Sequence, residues 1–389
     1  MNDLGLILPL WRGLEDSGVD YVLATIVAVE GSSYRKPGAR MLLAQDGRRG
    51  GTVSGGCLEA EVARRAWWLT ATSPVVERYS TLDDEDERPY GSGCGGVVYL
   101  LLERRQTAGP LLAALENAFR ARVPIAVATI LDGSQIGTRI LAGPSVCSEA
   151  ELHGSTIQNK IDPFNRSEIE LQDLAVRALE TQNTFERTIH VNGTPTRAFA
   201  DYLPARSSLW IFSAGDDAKP LVQLAQGLGW FVAVADGRSH LATRERFPTA
   251  ELVRVLPIGD LPEAAPQHFD IRLTDAAVVM THSFEQDSRI LASLLALDFP
   301  IAYLGVLGPL LRTHELLAEA ARLLHLPDTQ DRVDRWLAQL HAPTGLDLGA
   351  DTPATIALSI LAEIQQTFTA ATGHPLRQVR ASKESLTQC

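Results

Sequence analysis

The stretch 209-LWIFSAGDDAKPLVQLAQGLGWFVAVADGR-238 decides the fold of the C-terminal half of this chain. An apolar, strand-like run leads into a turn of small residues and then into an amphipathic helical segment. After Gly229 a second apolar run begins, and it ends at Asp236. A strand, a tight turn, a helix and a second strand in this order form the repeating unit of a doubly wound parallel sheet. The same alternation continues in 275-DAAVVMTH-282, in 300-PIAYLGVLG-308 and in the helical segments around them.

The turn 213-SAGDDA-218 indicates a Rossmann-like domain, because it is a degraded form of the dinucleotide-binding fingerprint G-x-G-x-x-G/A. Ser213 stands at the first glycine position, whereas Gly215 and Ala218 keep the other two. Asp236 closes the second strand about twenty residues further on, where a carboxylate can bind a ribose 2′-hydroxyl and favours NAD over NADP. The two aspartates that follow Gly215 would repel a pyrophosphate. A Rossmann-like domain that binds no nucleotide is therefore the alternative.

His282 follows the third predicted strand, at the carboxyl edge where open α/β sheets bind their ligands. With Asp287 it could form an acid–base or metal-binding pair, although a histidine bonded only for structural reasons would look the same in the sequence. Arg238 follows shortly after Asp236 in the same turn. Gly215, Asp236, Arg238 and His282 are therefore the candidate cofactor-binding residues of this domain.

Length and composition exclude several classes of protein. A chain of 389 residues with 45% hydrophobic residues is long enough for two cores, so two domains are expected. The net charge of −12 argues against a nucleic-acid binder or a binder of anionic membranes. No apolar run is long enough to span a membrane, and the N-terminus lacks the basic region of a signal peptide. Four cysteines are too few for a disulfide framework, so we expect a cytoplasmic protein.

The first domain is predicted to be mixed α/β and to span residues 1–204, with 204-PARSS-208 as the linker. The Rossmann-like domain then spans 205–380, and residues 381–389 form a disordered tail. Residues 9–18 are predicted as a short helix that stops at Gly18.

A loop bounded by glycine and proline, 31-GSSYRKPGARM-41, carries the basic residues of the first domain. Backbone N–H groups and guanidinium groups in such a loop can surround an anion. A solvated turn with scattered charges is the alternative. The candidate ligand-binding residues here are Ser32, Ser33, Arg35, Lys36 and Arg40.

A second motif, 51-GTVSGGCLEA-60, places Cys57 directly after Gly55 and Gly56 and at the start of a predicted helix whose N-cap lies near Ser54. A helix start lowers the pKa of a thiol and stabilises the thiolate. Cys94, in 91-GSGCGG-96, is a second cysteine flanked by glycines. Each cysteine alone could be a small buried residue, but two such clusters suggest soft ligands close to one cleft.

These motifs, in this order, resemble the xanthine dehydrogenase accessory proteins of the XdhC/CoxI type. The resemblance covers most of the chain, apart from about 105–200. It includes EGSSYRKPGARM, GGTVSGGCLEAEV, GSGCGG, the IFSAGDDA…VADGR unit, VVMTHSFEQD, YLGVLG and APTGLDLGADTPATIALSILAEI.

The resemblance implies a maturation factor for molybdenum hydroxylases. Such a protein binds the molybdenum cofactor (molybdopterin), protects it during sulfuration and delivers it to an apo molybdenum hydroxylase of the xanthine dehydrogenase type. Cys57 falls on the cysteine linked to cofactor binding and is the candidate for a soft contact with the metal. The resemblance also allows a cysteine desulfurase as a partner and a homodimer as the assembly.

The second domain departs from the family pattern. Family members usually have G-A-G-H where this chain has SAGD, and G-S-R where it has GPL at 308–310. A non-catalytic cofactor chaperone is therefore favoured. The alternatives are an NAD-dependent oxidoreductase or another nucleotide-binding enzyme that uses the Rossmann-like domain, and an interaction scaffold whose glycine loops are only structural.

Overall fold

The structure, a computed structural model, describes residues 2–56, 58–80, 96–144, 166–263, 265–327 and 329–379. The chain divides into two units, Met1–Arg206 and Ser207–Cys389, and the division falls in the segment PARSS. The predicted tail 381–389 lies outside the described residues. None of the helices in the described ranges combines the length and the apolar character that a membrane span requires.

The first unit contains two antiparallel sheets. The strand orders are β3-β2-β1-β5-β4 and β7-β6-β9-β8. The elements are α1 Asn2–Ser17, β1 Tyr21–Gly31, β2 Arg40–Ala44, β3 Arg49–Gly51, α2 Glu59–Leu69, β4 Val75–Ser80, β5 Gly96–Arg104, α3 Arg105–Ala121, β6 Ile125–Ile130, β7 Arg139–Ala142, α4 Arg166–Thr181, β8 Phe185–Val191 and β9 Thr194–Leu203.

Both faces of the five-stranded sheet are buried. Val22 and Ala24 in β1 contribute to a core that also contains Val62 of α2. The alternate residues Tyr21 and Leu23 contribute to a second core, with α1 and α3. Because successive strand residues point to opposite faces, a run of small and branched apolar residues such as YVLATIVAVE can satisfy both cores.

Helix α1 begins at Asn2, so the prediction of a short helix over 9–18 was wrong. Pro9 lies inside the helix, where it cannot donate the usual backbone hydrogen bond. Leu4, Ile7, Leu8, Trp11 and Leu14 follow helical spacing, and all five are buried in the core shared with α3. This burial outweighs the hydrogen bond that is missing at the proline.

Asn192 and Gly193, a dipeptide typical of a two-residue hairpin turn, join β8 and β9. Both residues have positive φ, of 50° and 79°. Positive φ at both central positions is the requirement of the two-residue turn that matches the twist of a hairpin.

The second unit contains one parallel sheet with the strand order β12-β11-β10-β13-β14, which confirms the predicted doubly wound fold. Its elements are β10 Ser208–Phe212, α5 Ala218–Gly227, β11 Phe231–Asp236, β12 Leu252–Val255, α6 Ala265–His268, β13 Ala276–Val279, α7 Phe284–Leu295, β14 Tyr303–Val306, α8 Leu310–Leu323, α9 Gln330–Leu337 and α10 Pro353–Thr369.

Strand β10 shows why the quoted stretch is continuously apolar. Leu209 and Ile211 pack in the core that contains α5 and α10, whereas Trp210 and Phe212 pack in the core that contains α7 and α8. A parallel strand covered by helices on both faces has no polar side. Helix α10 begins directly after Thr352, whose hydroxyl accepts a hydrogen bond from the backbone N–H of Thr355.

Candidate functional site

The glycine-rich motifs of the first unit meet at one end of the five-stranded sheet. Gly31 at the end of β1 pairs with Gly96 at the start of β5. A Cβ atom on Gly96 would overlap the backbone oxygen of Ser32, so only glycine fits against the basic loop at this point. On the other side of the loop, a Cβ atom on Gly55 would lie 4.0 Å from the ring of Tyr34. The structure therefore brings the basic loop (31–41) next to the SGG turn (54–56) and to Gly96, the last glycine of the GSGCGG motif.

A buried carboxylate fixes the SGG turn. The carboxylate of Glu59, the first residue of α2, accepts hydrogen bonds from the hydroxyls of Thr52 and Ser54 and, at 2.8 Å, from the backbone N–H of Ser54. The Ser54 hydroxyl oxygen in turn accepts from the backbone N–H groups of Gly56, at 3.2 Å, and Leu58, at 3.0 Å. Helix α2 begins at Glu59 with Leu58 as its N-cap, two residues later than the start at Cys57 that the sequence predicted, and the Ser54 hydroxyl accepts from the backbone N–H of this N-cap residue. Glu59 is a functional candidate that sequence reasoning missed.

The ionised form of Glu59 is favoured in the folded protein. Burial by itself would raise the pKa of this carboxyl group, but the hydrogen bonds from Ser54 and Thr52 outweigh burial and hold the pKa below its ordinary value. A negative charge at the start of α2 also suits the helix dipole. The turn therefore rests on an anion that is hydrogen-bonded on several sides.

The predicted ligand-binding residues of the SGG turn and of the basic loop differ in their exposure to solvent. Gly55 and Gly56 are exposed, and Gly56 has a φ of 116° that favours glycine. Ser32 is exposed and Ser33 is half-buried in the neighbouring loop. Cys57 and Cys94, including the predicted metal contact of Cys57, lie outside the described residues, and among the residues that are described no group of three or more potential metal ligands occurs.

The two predicted arginines of the basic loop are both engaged in ion pairs. Arg35 pairs with Asp3 of α1. Arg40, which is only 4% exposed, donates from Nη2 to Asp201 Oδ2 at 2.5 Å and from Nη1 to the backbone oxygen of Gly38 at 2.9 Å. Arg40 lies in β2 and Asp201 in β9, so this buried pair joins the two sheets of the first unit. Contact of Arg35 or Arg40 with a ligand stays a prediction.

In the second unit, Asp236 is fully buried and already bonded within the protein. Its carboxylate accepts hydrogen bonds from the backbone N–H of Ala214 at 2.7 Å and from Arg238 through three nitrogens, at 2.7 to 3.0 Å. Burial would raise the pKa of Asp236, but the bonds from Arg238 and Ala214 hold it below its ordinary value. This geometry leaves no exposed carboxylate edge for the ribose hydroxyl that the sequence prediction assigned to it.

Asp217 covers the predicted phosphate-binding glycine. A Cβ atom on Gly215 would lie 2.5 Å from Asp217 Oδ1, and Asp217 Oδ2 lies 2.7 Å from Nε2 of the exposed His282. The suggested pairing of His282 with Asp287 was therefore wrong. Asp287 is instead fully buried and accepts hydrogen bonds from Thr281. His282 has a φ of 64°, a left-handed conformation that histidine adopts more readily than most residues.

Arg312 was missed by the sequence analysis because it lies two positions beyond the GPL segment. Its Nη2 atom donates to Asp287 Oδ2 at 2.6 Å, and its side chain passes close to Gly308. A guanidinium group is thus present near this turn although the G-S-R pattern is not. The start of helix α8 could have suggested this position for the guanidinium group. Side chains in the first turn of a helix lie close to the loop that precedes it.

A curated relative from Bacillus subtilis (strain 168), described as a probable subunit of xanthine dehydrogenase, is 31% identical to this chain over 361 residues, which cover 91% of this chain and 94% of the relative. The chain belongs to the XdhC and CoxI family. A family model described as "XdhC and CoxI family" matches residues 14–80 of this XdhC/CoxI protein, and one described as "XdhC Rossmann domain" matches residues 209–364. The second match begins at the second residue of β10 and contains the other four strands of the parallel sheet.

Two further similarities support this assignment. "Molybdenum cofactor insertion chaperone PaoD" from Escherichia coli (strain K12) is 37% identical over 118 residues, which cover 28% of the XdhC/CoxI chain and 34% of PaoD. A crystal structure described as a xanthine dehydrogenase from Bacillus halodurans superposes with a TM-score of 0.67 at 28% identity, covering 95% of this chain and 96% of the other. The similarity therefore extends over both units and is not confined to the Rossmann-like domain.

Proposed function

We propose that this XdhC/CoxI protein is a maturation factor that binds the molybdenum cofactor, protects it during sulfuration and delivers it to an apo molybdenum hydroxylase of the xanthine dehydrogenase type. The observation that carries the proposal is the convergence of the basic loop, the SGG turn and Gly96 at one end of a sheet. The relatives named for xanthine dehydrogenase and for cofactor insertion support the same role.

The geometry of the SGG turn suits a large, flat ligand. Gly55 and Gly56 have no side chains and are exposed, so a pterin can approach the backbone closely. The ring of Tyr34 lies beside Gly55 and is 71% exposed, which offers a stacking surface. Cys57 follows Gly56 in the sequence, and its thiolate would contact the metal or its sulfur ligands.

The parallel sheet does not support the alternative of an NAD-dependent oxidoreductase or a nucleotide-binding enzyme. Asp236 is bonded to Arg238 and to the backbone of Ala214, and the carboxylate of Asp217 lies over Gly215. A pyrophosphate at Gly215 would therefore meet a negative charge. We propose a protein that binds its cofactor as cargo without turning over a substrate.

The proposed partners follow from the maturation role. They are the apo molybdenum hydroxylase, a cysteine desulfurase that would supply the sulfur, and a second copy of this chain in a homodimer. The proposed location is the cytoplasm.

The proposal is tested by titrating the full chain with freshly released molybdenum cofactor under anaerobic conditions. The wild type is compared with Cys57→Ser, with Cys147→Ser as the matched control at a cysteine outside the motifs, and NAD is titrated in parallel. We expect saturable cofactor binding by the wild type and by Cys147→Ser, and its loss in Cys57→Ser. Equal cofactor binding by both variants would show that the Cys57 thiol is not needed, and NAD binding without cofactor binding would contradict the proposed function.

A further inference from the structure

A cavity of about 390 Å³ opens in the first unit beside the basic loop. It lies between the start of α1, the loop itself and the end of β9. Residues of the sequence-predicted loop form most of one wall, and the opposite wall comes from positions far along the chain. The polar and charged side chains that line it belong to Asp3, Tyr34, Arg35, Lys36, Arg40, Thr184, Asp201 and Tyr202.

Arg35 and Arg40, which line this cavity, each have one buried donor atom, Nε, without an acceptor. Arg35 uses its Nη2 atom to pair with Asp3, and Arg40 uses Nη1 and Nη2 for Gly38 and Asp201. The Nε atoms of Arg35 and Arg40 are buried and have no hydrogen-bond partner among the described residues. A buried guanidinium nitrogen without an acceptor is costly. Both atoms belong to side chains that line one cavity, so an acceptor bound there would satisfy them once the side chains turn towards it.

The charges around the cavity favour an anion. Three cationic side chains, Arg35, Lys36 and Arg40, face two carboxylates, those of Asp3 and Asp201, so one positive charge is left over. Arg40 is held rigidly by its buried pair, and the exposed Lys36 can reach towards an incoming group. A phosphate group has several acceptor oxygens and a charge that matches this excess.

Tyr34 connects the cavity to the SGG turn. Its side chain lines the cavity, and its ring is the nearest group to a Cβ atom built on Gly55. We infer that the cavity binds a phosphate group and, resting on the proposed function, that this phosphate is the one at the end of the cofactor whose pterin lies over the SGG turn. The bound cofactor would then extend from the SGG turn, past Tyr34, into the cavity.

The first experiment measures binding of inorganic phosphate to the full chain by calorimetry at constant ionic strength. Arg35→Gln and Lys36→Gln each remove one cationic donor from the cavity without breaking the buried pair of Arg40. Arg48→Gln is the matched control, because Arg48 is exposed and pairs with Asp46 at 2.6 Å outside the cavity. We expect saturable binding by the wild type and by Arg48→Gln, and about tenfold weaker binding by the two cavity variants. No saturable binding, or equal binding by Arg35→Gln, would overturn the cavity as an oxyanion site.

The second experiment separates the cavity from the proposed function. Cys57→Ser should bind inorganic phosphate like the wild type, because the donors assigned to the phosphate are those of Arg35, Lys36 and Arg40. In the wild type, phosphate should weaken cofactor binding, since both compete for one site; simultaneous binding without competition would overturn the assignment to the phosphate of the cofactor. If the wild type binds no cofactor at all, the proposed function is wrong and so is that assignment, while the phosphate titration still decides whether the cavity binds oxyanions.

Discussion

The two candidate ligand-binding regions of this protein treat their charges in opposite ways. At the carboxyl edge of the parallel sheet, the acids are bonded to nearby groups: Asp236 to Arg238, Asp217 to His282 and Asp287 to Arg312. In the first unit, three cationic side chains line a cavity that has only two carboxylates, and two exposed glycines leave the backbone open.

This difference supports the proposal that the anion binds in the first unit. Where every charge has an internal partner, a ligand must break an existing bond before it gains a new one. Where donors are left over, the ligand completes the hydrogen bonding. The departures from the family pattern, Ser213 and the GPL segment, both fall in the region whose charges are internally paired.

The largest effect on stability is expected at Asp236. Asp236→Ala leaves Arg238 and the backbone N–H of Ala214 without their acceptor, and we expect a loss of about 3 kcal/mol in the free energy of unfolding. The control is Asp216→Ala, because Asp216 is 80% exposed and its pairs with Lys219 and Arg246 lie at the surface; here we expect about 0.5 kcal/mol or less. Urea unfolding measures the loss in each variant. Equal losses would contradict the expectation that the buried Asp236 contributes more to stability than the exposed Asp216.

The next largest effect concerns the hairpin that leads into the SGG turn. Gly47 and Gly51 both have positive φ, but a Cβ atom on Gly51 would overlap the backbone oxygen of Arg40, whereas nothing lies within 4 Å of one on Gly47. We expect Gly51→Ala to cost about 3 kcal/mol and Gly47→Ala about 1 kcal/mol, since only the first adds a clash to the backbone strain. Thermal unfolding checks this order, and a larger effect at Gly47 would contradict the close approach of β3 to β2.

A moderate and pH-dependent effect is expected at Glu59. Glu59→Gln weakens the hydrogen bonds that hold the SGG turn, at a cost of about 1–2 kcal/mol near neutral pH. The folded pKa of Glu59 lies below the unfolded value of about 4.3, so its stabilisation is present above that value and is lost as the pH falls through the folded pKa.

The stability difference between the wild type and Glu59→Gln should therefore narrow as the pH is lowered from about 6 to about 3. Urea unfolding across this range measures the difference. The control is Glu285→Gln, which changes an exposed glutamate in the first turn of α7 and should give a small, nearly constant difference. A stability difference between the wild type and Glu59→Gln that increases as the pH falls would show that Glu59 is not held as an anion.

The smallest effect on stability is expected at Tyr34, where the effect on binding should be clear. Tyr34 is 71% exposed, so Tyr34→Ala should change the free energy of unfolding by about 0.5 kcal/mol or less. Loss of a stacking ring should weaken cofactor binding about tenfold. Trp68→Ala, at another exposed aromatic residue of the first unit, should leave cofactor affinity unchanged. Equal affinities for the wild type and Tyr34→Ala would remove the ring from the proposed site.

Local patterns in the sequence predicted the parts of the fold that local physics controls. The parallel sheet follows from apolar runs alternating with helices, the hairpin from Asn192 and Gly193, and the start of α10 from Thr352. Helix α1 was predicted too short, over 9–18, because only the structure shows that the residues before Pro9 are buried against α3.

The candidate site was predictable in its motifs but not in its pairings. The glycine-flanked loops are visible in the sequence, whereas the partners of Glu59, Arg40 and Asp217 are not. No local signal connects Asp217 to His282, 65 positions away, because only the strand order of the sheet brings them together. Arg312 escaped notice for a similar reason, since its contact with Asp287 depends on how α7 and α8 pack.

The buried pair of Arg40 and Asp201 also sets the time at which the site can form. The two residues are 161 positions apart. At synthesis rates of about 5–20 residues per second, roughly 10–30 s pass between the emergence of the basic loop from the ribosome and the emergence of its partner strand. During that interval the two sheets of the first unit have no buried ion pair to join them. The proposed capture of a ligand by this unit therefore has to wait until β9 has been synthesised.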